Sequence, residues 1–338
     1  MTLPTRSAAS LTDFLTAFSE NYLNSTPLNQ SWTITPMLDW LVANADEADG
    51  GNEWIFPIMD GYTPNGDSYG VGSTLNLTHT NAFTQVRYSP AQVYESAQVD
   101  SVLWDRARGS QAKINYVTQQ LDRARLAIAE TVVLQLCALT TGTADEGSAD
   151  VTTIMEVIDS TGAIGGLNPA TAGQSFWAAT ESTVGSFTTN GRDAMRTTYN
   201  ATTKYKMLGE PSVIFCSKTA IEAAEESGES FLQVTNTGGP QGKVDTGIMR
   251  LSYKGIPLIY EPHMDALETT NTPTGGIMLW VNTKGLKLVP RSGRMFEVDP
   301  WFSLLPAGRR AQASVITCCL QLCAQARSPL AKLVGITA

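Results

Sequence analysis

The sequence predicts an α+β protein of 338 residues. Three observations support this prediction: a long amphipathic helix over residues 110–140, a run of short strands over 244–288, and a long polar β-hairpin over 52–98. In the strand run, Gly255 supplies a turn between apolar, β-rich segments. Pro257 suits the start of a strand or an edge strand, because proline cannot donate to a sheet ladder.

Two short amphipathic helices are predicted near the N-terminus, the first over residues 10–24 and the second over 37–45. The second presents Leu38, Leu41 and Val42 and ends in an acidic linker. Two such helices cannot form a core alone, so they must pack on the body of the chain or on a neighbour. The apolar face of the first helix consists of Leu11, Phe14, Leu15, Phe18 and Tyr22.

The hairpin over residues 52–98 is predicted from its pattern of strand and turn residues. Residues 54–58 are strand-like, the tip over 60–70 is rich in glycine, asparagine and aspartate, and a return arm alternates polar and apolar residues over 74–80. A hairpin this polar is weakly stable in isolation, and we therefore expect it to need a partner.

The helix over residues 110–140 has the clearest periodicity in the chain. Its apolar residues recur at spacings of three and four, and no proline interrupts them. A helix of this length is a rod of about 45 Å. A single apolar stripe indicates that it packs on one side only, as against a sheet. The stripe consists of Ile114, Val117, Leu121, Ala124, Ile128, Val132, Leu136 and Leu139.

The remaining elements are predicted from shorter patterns. Residues 309–326 could form a helix or a strand, and their almost continuously apolar and β-branched content favours a long buried strand. Ser217 is predicted to cap the helix that follows it. The other predictions are a short helix within 150–165, a turn at 165–169, a helix over 191–205, a buried strand over 211–216 and a helix over 218–227.

The formal charge of −9 is placed unevenly along the chain. Residues 1–100 hold two basic and eleven acidic side chains, so they account for the whole net charge. An acidic first third argues against specific nucleic-acid binding, which normally needs a basic patch. It is either a solvated acidic surface or a surface that meets basic groups on a neighbouring subunit.

The sequence predicts no catalytic, cofactor-binding or metal-binding site. Five cysteines lie in apolar runs, which is typical of reduced, buried thiols, and two histidines give no zinc-site spacing. Phosphate-binding loops and G-x-S-x-G elbows are absent, and no segment is long and apolar enough to span a membrane. The best enzyme candidate pairs Cys216 or Cys137 with His263, yet Cys216 is predicted to be a core residue and His263 a surface or interface residue.

Four features in this order resemble the major capsid proteins of tailed double-stranded-DNA bacteriophages, which share the Hong Kong 97-type fold. These are the hairpin over 52–98, the rod over 110–140, the Gly-Gly-Leu-Asn-Pro turn at 165–169, and the segments around 253–257 and 282–288. The resemblance covers residues from about 50 to 338.

The resemblance implies a division of the chain into named parts. Residues 1–51 would form an N-terminal arm and 52–98 an extended loop. A peripheral domain would consist of 99–165, with the spine helix over 110–140, and of 284–338, with the long strand. Residues 166–283 would form the axial domain.

The resemblance also implies a function. The chain would assemble with itself into pentamers and hexamers of an icosahedral shell that encloses double-stranded DNA and contacts it non-specifically. Its location would be the virion, after assembly in the host cytoplasm, and its partners a separate scaffolding protein, a portal and a decoration protein, without cofactor or membrane. Because residues 1–112 contain no lysine, we expect no isopeptide crosslink from the hairpin. The alternatives are the shell of an encapsulin-like cellular nanocompartment and a cytoplasmic enzyme with a cysteine or carboxylate centre.

The charge division at residue 100 suggests how neighbours would dock. We expect acidic side chains on the hairpin to pair with basic side chains near the spine helix of a neighbour. The apolar residues of the arm would add further contacts. The candidate contact residues are Phe14, Phe18, Asp60, Asp67, Arg106, Arg108 and Arg123.

Overall fold

The structure is a computed structural model, and it describes most of the chain outside the first 34 residues. The predicted helix over 10–24, most of the predicted hairpin tip over 60–70 and residues 75–80 of the predicted return arm lie outside the described residues. The described ranges are 35–59, 68, 70–74, 83–106, 110–140, 150–204, 208–229 and 251–337.

Helices and strands are mixed in the way that an α+β class requires. The α-helices within the described ranges are Pro36–Ala43, Ser101–Arg106, Ser110–Leu136, Ile154–Val157, Phe187–Thr202, Lys218–Glu229 and Leu267–Thr270. The strands are β1 (Trp54–Met59), β2 (Phe83–Tyr88), β3 (Ala91–Asp100), β4 (Thr180–Ser186), β5 (Val213–Cys216), β6 (Ser252–Tyr253), β7 (Ile256–Tyr260), β8 (Gly276–Val281), β9 (Leu286–Pro290), β10 (Glu297–Val298), β11 (Phe302–Ser303), β12 (Ala311–Ala324) and β13 (Ala331–Thr337). None of the described helices is long and apolar enough to cross a bilayer.

The described residues divide into two compact units. The first holds residues 93–131 and 293–318. In it the part of β12 up to Cys318 pairs antiparallel with β10 and β11, and β3 also pairs with β12. Along β3 the side chains of Val93, Ala97 and Val99 are buried while Tyr94, Ser96 and Gln98 are exposed, which is the period of two expected for a strand with one covered face.

The second unit holds residues 34–92, 132–292 and 319–338 and contains a six-stranded sheet. The strand order is β4-β13-β8-β5-β7-β6, in which β4 runs parallel to β13 and β5 parallel to β7. Every residue of β8 is buried, as are all four of β5, because both strands lie in the interior of the sheet and are covered on both faces.

Strands β6 and β7 confirm the turn that was predicted at Gly255. Ser252 and Tyr253 pair with Pro257 and Ile256, which leaves a two-residue loop. Both loop residues have positive φ, 49° at Lys254 and 85° at Gly255. This is the geometry of a type I′ turn, whose second position strongly favours glycine.

The spine helix, Ser110–Leu136, is confirmed, and four of the eight residues of its predicted apolar stripe are buried. Ala124, Ile128, Val132 and Leu136 are buried. Leu139 lies beyond the helix and is exposed, so its assignment to the stripe was wrong. The long strand over 309–326 is confirmed as β12, which is buried through most of its length.

The first described helix, Pro36–Ala43, confirms the helix predicted over 37–45 but changes its buried face. Met37, Leu38 and Leu41 are buried, whereas Val42 is exposed, so the prediction that Val42 packs inward was wrong. A stripe through 37, 38 and 41 has the spacing of one helical face, and Val42 lies at its edge.

The acidic linker after this helix is paired with the body of the chain. The backbone N–H groups of Asp46 and Ala48 donate to the carbonyls of Leu288 and Pro290 at 3.1 and 3.0 Å. Asp46 also forms an ion pair with Lys287. The linker therefore lies alongside β9, and part of the acidic charge of the first third is neutralised within the same chain.

Two further predictions, one of a helix cap and one of helix bounds, were wrong. Ser217 does not cap the helix Lys218–Glu229, because its hydroxyl accepts from the backbone N–H of Ile277 at 2.9 Å. The N–H groups of Lys218 and Thr219 donate instead to the carboxylates of Asp265 and Glu268, both at 2.8 Å. The helix predicted over 191–205 begins four residues earlier, at Phe187, and ends at Thr202.

Candidate assembly surfaces

The hairpin of β1 and β2 has one covered face and one exposed face. Its six register pairs run from Trp54 opposite Tyr88 to Met59 opposite Phe83. Residues opposite each other in an antiparallel pair share a face. Trp54, Val86 and Tyr88 lie on the covered face and are buried.

The exposed face of the hairpin is rich in apolar side chains, and we call it the outer hairpin face. Ile55, Met59 and Phe83 are 50%, 63% and 66% exposed. Pro57 lies between them in register and is also exposed. Apolar side chains grouped on one exposed face mark an interaction surface more often than isolated ones do.

The polar residues of the outer hairpin face are already partly paired. Arg87 lies opposite Ile55, and its guanidinium Nη1 is 3.8 Å from the Glu53 carboxylate. Both side chains are about half exposed, so this ion pair contributes little to stability. A neighbour could replace it without a large loss.

A second exposed surface with apolar and basic groups lies in the first unit. Phe302 in β11 and Leu305 in the following turn are 47% and 65% exposed. Arg309 and Arg310 follow the turn and are exposed as well. Gly308 has a φ of 75°, which brings the chain back from this turn toward β12.

Two of the seven predicted contact residues lie on described helices. Arg106 ends the helix Ser101–Arg106, and Arg123 lies exposed on the spine helix. Five of the seven lie outside the described residues: Phe14, Phe18, Asp60, Asp67 and Arg108. The pairing of acidic and basic groups between neighbours therefore stays a prediction.

The sequence prediction missed the outer hairpin face, although a signal for it was present. Residues 54–59 are apolar at nearly every position, on both faces of the strand. A two-stranded hairpin can cover only one of its faces with the body of its own chain. A continuous apolar strand placed in a hairpin therefore predicts an exposed apolar face, here carried by Ile55 and Met59.

The cysteine and histidine candidates lie in the core. All five cysteines are free and buried. Burial raises the pKa of the Cys216 thiol, and burial followed by the charge of Glu261 raises that of Cys137. A cysteine nucleophile needs an accessible thiolate, and neither thiol provides one.

His263 was predicted to be a surface or interface residue, and this was wrong. It is buried, and its Nδ1 lies 2.7 Å from Glu261 Oε1. Its position after Glu261-Pro262 resembled a loop, but the segment forms a short 3-10 helix that is folded into the second unit. Among the described residues no group of three histidine, cysteine, aspartate or glutamate side chains could hold a metal ion.

Solved structures with the same chain path come from particle shells. The chain superposes on the capsid asymmetric unit of cyanophage A-1(L) with a TM-score of 0.60, at 14% identity, over 96% of this chain and 99% of that one. It superposes on the mature capsid of bacteriophage PhiM1 with a TM-score of 0.57, at 12% identity, over 94% and 92%. The chain has the Hong Kong 97-type fold.

A third structure with this fold is not from a phage. The holo-SrpI encapsulin complex of Synechococcus elongatus PCC 7942 matches with a TM-score of 0.53, at 13% identity, over 94% of this chain and 92% of that one. No family profile and no curated protein matches the sequence. The Hong Kong 97-type fold therefore extends over nearly the whole chain, while the sequence has diverged far from these structures.

Proposed function

We propose that the chain is the structural subunit of the icosahedral shell of a tailed phage, which encloses double-stranded DNA. The observation that supports this proposal is the outer hairpin face. It is an apolar surface of the β1–β2 hairpin that is exposed in the single subunit. In a fold shared with capsid proteins, the natural cover for such a face is a second copy of the same chain.

The proposed parts follow the division that the sequence suggested. The arm comprises residues 1–51, the extended loop 52–98 and the axial domain 166–283, and the peripheral domain consists of 99–165 and 284–338. The subunits form pentamers and hexamers and reside in the virion after assembly in the host cytoplasm. The proposed partners are a separate scaffolding protein, a portal, a decoration protein and packaged DNA, which is contacted non-specifically.

A structural role also agrees with the chemistry of the interior. The thiols that would serve an enzyme are buried, and the one described histidine, His263, is held against Glu261. Exposed apolar groups at Ile55, Met59 and Phe83 serve no reaction but suit an interface. Many weak contacts of this kind add up in a closed shell, because each subunit is held by several neighbours.

The test is assembly of the purified chain. The chain is expressed with and without a candidate scaffolding protein, and the soluble fraction is imaged by negative-stain electron microscopy. Closed particles, rings of five or six subunits, or sheets are the expected result. Monomers and small oligomers alone, with the scaffolding protein present, would contradict the proposal.

The second candidate function is the shell of a cellular nanocompartment, and the similarity to the SrpI encapsulin complex favours it. The contents of the particles distinguish the two functions. Particles isolated from their native source are treated with nuclease, and their contents are analysed for DNA and for protein. Protected double-stranded DNA supports the phage shell, whereas a folded protein cargo without DNA supports the nanocompartment.

A further inference from the structure

The base of the hairpin is fastened to the end of β12 through Tyr88. The Tyr88 hydroxyl donates to the carbonyl of Ala324 at 2.9 Å and accepts from the N–H of the same residue at 3.1 Å. Tyr88 is 5% exposed, and burial raises the pKa of its phenol well above the usual range. One hydroxyl thus satisfies both backbone groups of the last residue of β12.

Gln321 fastens the same region from three residues earlier in β12. Its side-chain amide donates to the carbonyl of Ser89, directly after β2, at 2.8 Å. Its oxygen accepts from the N–H groups of Thr152 at 2.8 Å and Leu322 at 3.0 Å. Gln321 is 5% exposed and Thr152 8%, so loss of the Gln321 oxygen would leave the Thr152 N–H buried without this acceptor.

A third contact comes from the turn at Gly165. The N–H of Arg87 donates to the Gly165 carbonyl at 3.1 Å. Gly165 has a φ of 63°, and a β-carbon there would lie 2.9 Å from Cβ of Val86. Only glycine lets this turn approach β2 so closely.

Arg327 holds the segment that leads into this turn. Its guanidinium is fully buried and donates to the carbonyl of Val157 at 2.7 Å and of Gly162 at 2.8 Å. It also donates to the carbonyls of Glu156 and Asp159. The 156–165 segment is therefore held by Arg327, three residues after the end of β12, and it contacts β2 in turn.

We infer that Tyr88 and Gln321 are positioning residues. They set the angle between the hairpin and the rest of the second unit, and this angle sets the diameter of the shell. The inference rests on the proposed shell function. A rotation of the hairpin about its base would break buried hydrogen bonds, each of which is costly to leave unmade. The hydrogen bonds therefore favour the orientation of the hairpin seen in the structure over a rotated one.

The length of the hairpin amplifies any change at its base. Six residues of strand span about 20 Å, so a tilt of about 10° moves the far end by roughly 3 Å. The outer hairpin face lies along this length, with Met59 and Phe83 at the far end and Ile55 near the base. The angle at the base thus decides where these side chains meet a second copy, and the angle between neighbours decides the curvature of the shell.

The variant that tests this inference is Tyr88→Phe, with Tyr260→Phe as its matched control. The control also removes one hydroxyl contact, the 2.5 Å bond from Tyr260 to Asp265, which lies elsewhere in the same unit. Gln321→Asn is a second, milder variant, because the shorter amide cannot reach all of its partners. Particle diameters are measured by electron microscopy, and amide hydrogen exchange is measured on the unassembled subunits.

We expect Tyr88→Phe and Gln321→Asn to accelerate exchange of the β1 and β2 amides by about tenfold, and to broaden or shift the distribution of particle diameters. Tyr260→Phe should change neither. Particles of unchanged diameter, or unchanged exchange at the hairpin base in both variants, would overturn the inference. Failure of the unmodified chain to assemble would count against the shell function, and the exchange data would still decide whether these residues fix the hairpin base.

Discussion

The carboxylate of Glu261 accepts a hydrogen bond from the backbone N–H of Met37 at 2.9 Å, although the two residues are far apart in the sequence. Glu261 is fully buried, and its other oxygen accepts from the N–H of His263 at 3.3 Å. It thereby satisfies one of the free donors at the start of the helix Pro36–Ala43. One buried side chain thus fixes the start of the helix Pro36–Ala43.

Replacing Glu261 by alanine should lower the free energy of unfolding by about 3–5 kcal/mol, because it leaves the Met37 donor and the His263 ring buried without their acceptor. The measurement is urea unfolding of the unassembled subunit. Glu226→Ala, an exposed glutamate on the helix Lys218–Glu229, is the control and should change the value by less than about 0.5 kcal/mol. Equal effects of the two substitutions would contradict this account of Glu261.

Asp159 should contribute a pH-dependent part of the stability. Burial alone would raise the pKa of this carboxyl, but the N–H of Thr161 and then the charges of Lys332 and Arg327 hold it below its usual value. A carboxyl with a lowered pKa in the folded state stabilises the protein above about pH 4, and that stability is lost as the pH falls through the folded pKa.

The variant Asp159→Asn should therefore be less stable than the unmodified subunit at neutral pH, and the difference should shrink on acidification. Unfolding free energies are measured from about pH 6 to the acid limit of the folded subunit. Asp193→Asn, whose partner Arg196 is exposed, serves as the control and should show a small difference throughout. A stability difference between Asp159→Asn and the unmodified subunit that stays constant with pH would contradict the role assigned to Asp159.

The elements that the sequence predicted correctly are those with a long or strongly biased pattern. The spine helix follows from the periodicity that places Ala124 and Ile128 on one face, and β12 follows from a nearly continuous apolar run. Both patterns are local. The spacing of apolar residues within an element shows which face of that element is buried. The burial of all five cysteines was predicted on the same basis.

The features that the sequence could not predict depend on partners distant in the chain. The carboxylates of Asp265 and Glu268, rather than the adjacent Ser217, bind the first N–H groups of a helix nearly fifty residues earlier. The burial of His263 depends on Glu261 and on the helix that it anchors. Such contacts produce no periodic pattern in the sequence. A carboxylate that binds these N–H groups has the same appearance in the sequence as one that does not.

The outer hairpin face should be needed for assembly but not for folding. Phe83→Asp places a charge at a position that is 66% exposed in the free subunit, so the free energy of unfolding should change by less than about 0.5 kcal/mol. In the shell the same charge would be buried against a second copy, which is strongly unfavourable. We expect the variant to remain folded and to form no closed particles.

The control for Phe83→Asp is Asn200→Asp, which adds a charge on the exposed side of the helix Phe187–Thr202. It should assemble as the unmodified chain does. Both variants are compared by urea unfolding and by electron microscopy. Normal particles from Phe83→Asp would show that this face is not covered by a neighbour.

Charge reversal at the hairpin tip tests how neighbours dock. Asp60→Lys and Asp67→Lys together convert the acidic tip of the proposed extended loop into a basic one, facing the basic surface proposed around Arg106, Arg108 and Arg123. Like charges then repel across the interface, so the yield of particles at low salt should fall, by about tenfold if the pairing is worth roughly 1.4 kcal/mol per subunit.

Salt distinguishes this effect from simple misfolding. Screening shortens the range of charge interactions to about 10 Å at 0.1 M salt and about 3 Å at 1 M, so the unmodified chain should lose particle yield as salt rises. The charge-reversed chain should lose less or recover, and reversal of Arg123 to Glu in the same chain should restore part of the yield at low salt. Light scattering during assembly measures the particle yield of the unmodified chain, the charge-reversed chain and the chain with the additional Arg123 reversal. Identical yields of the unmodified and reversed chains across this salt range would remove electrostatic docking between the tip and the spine helix.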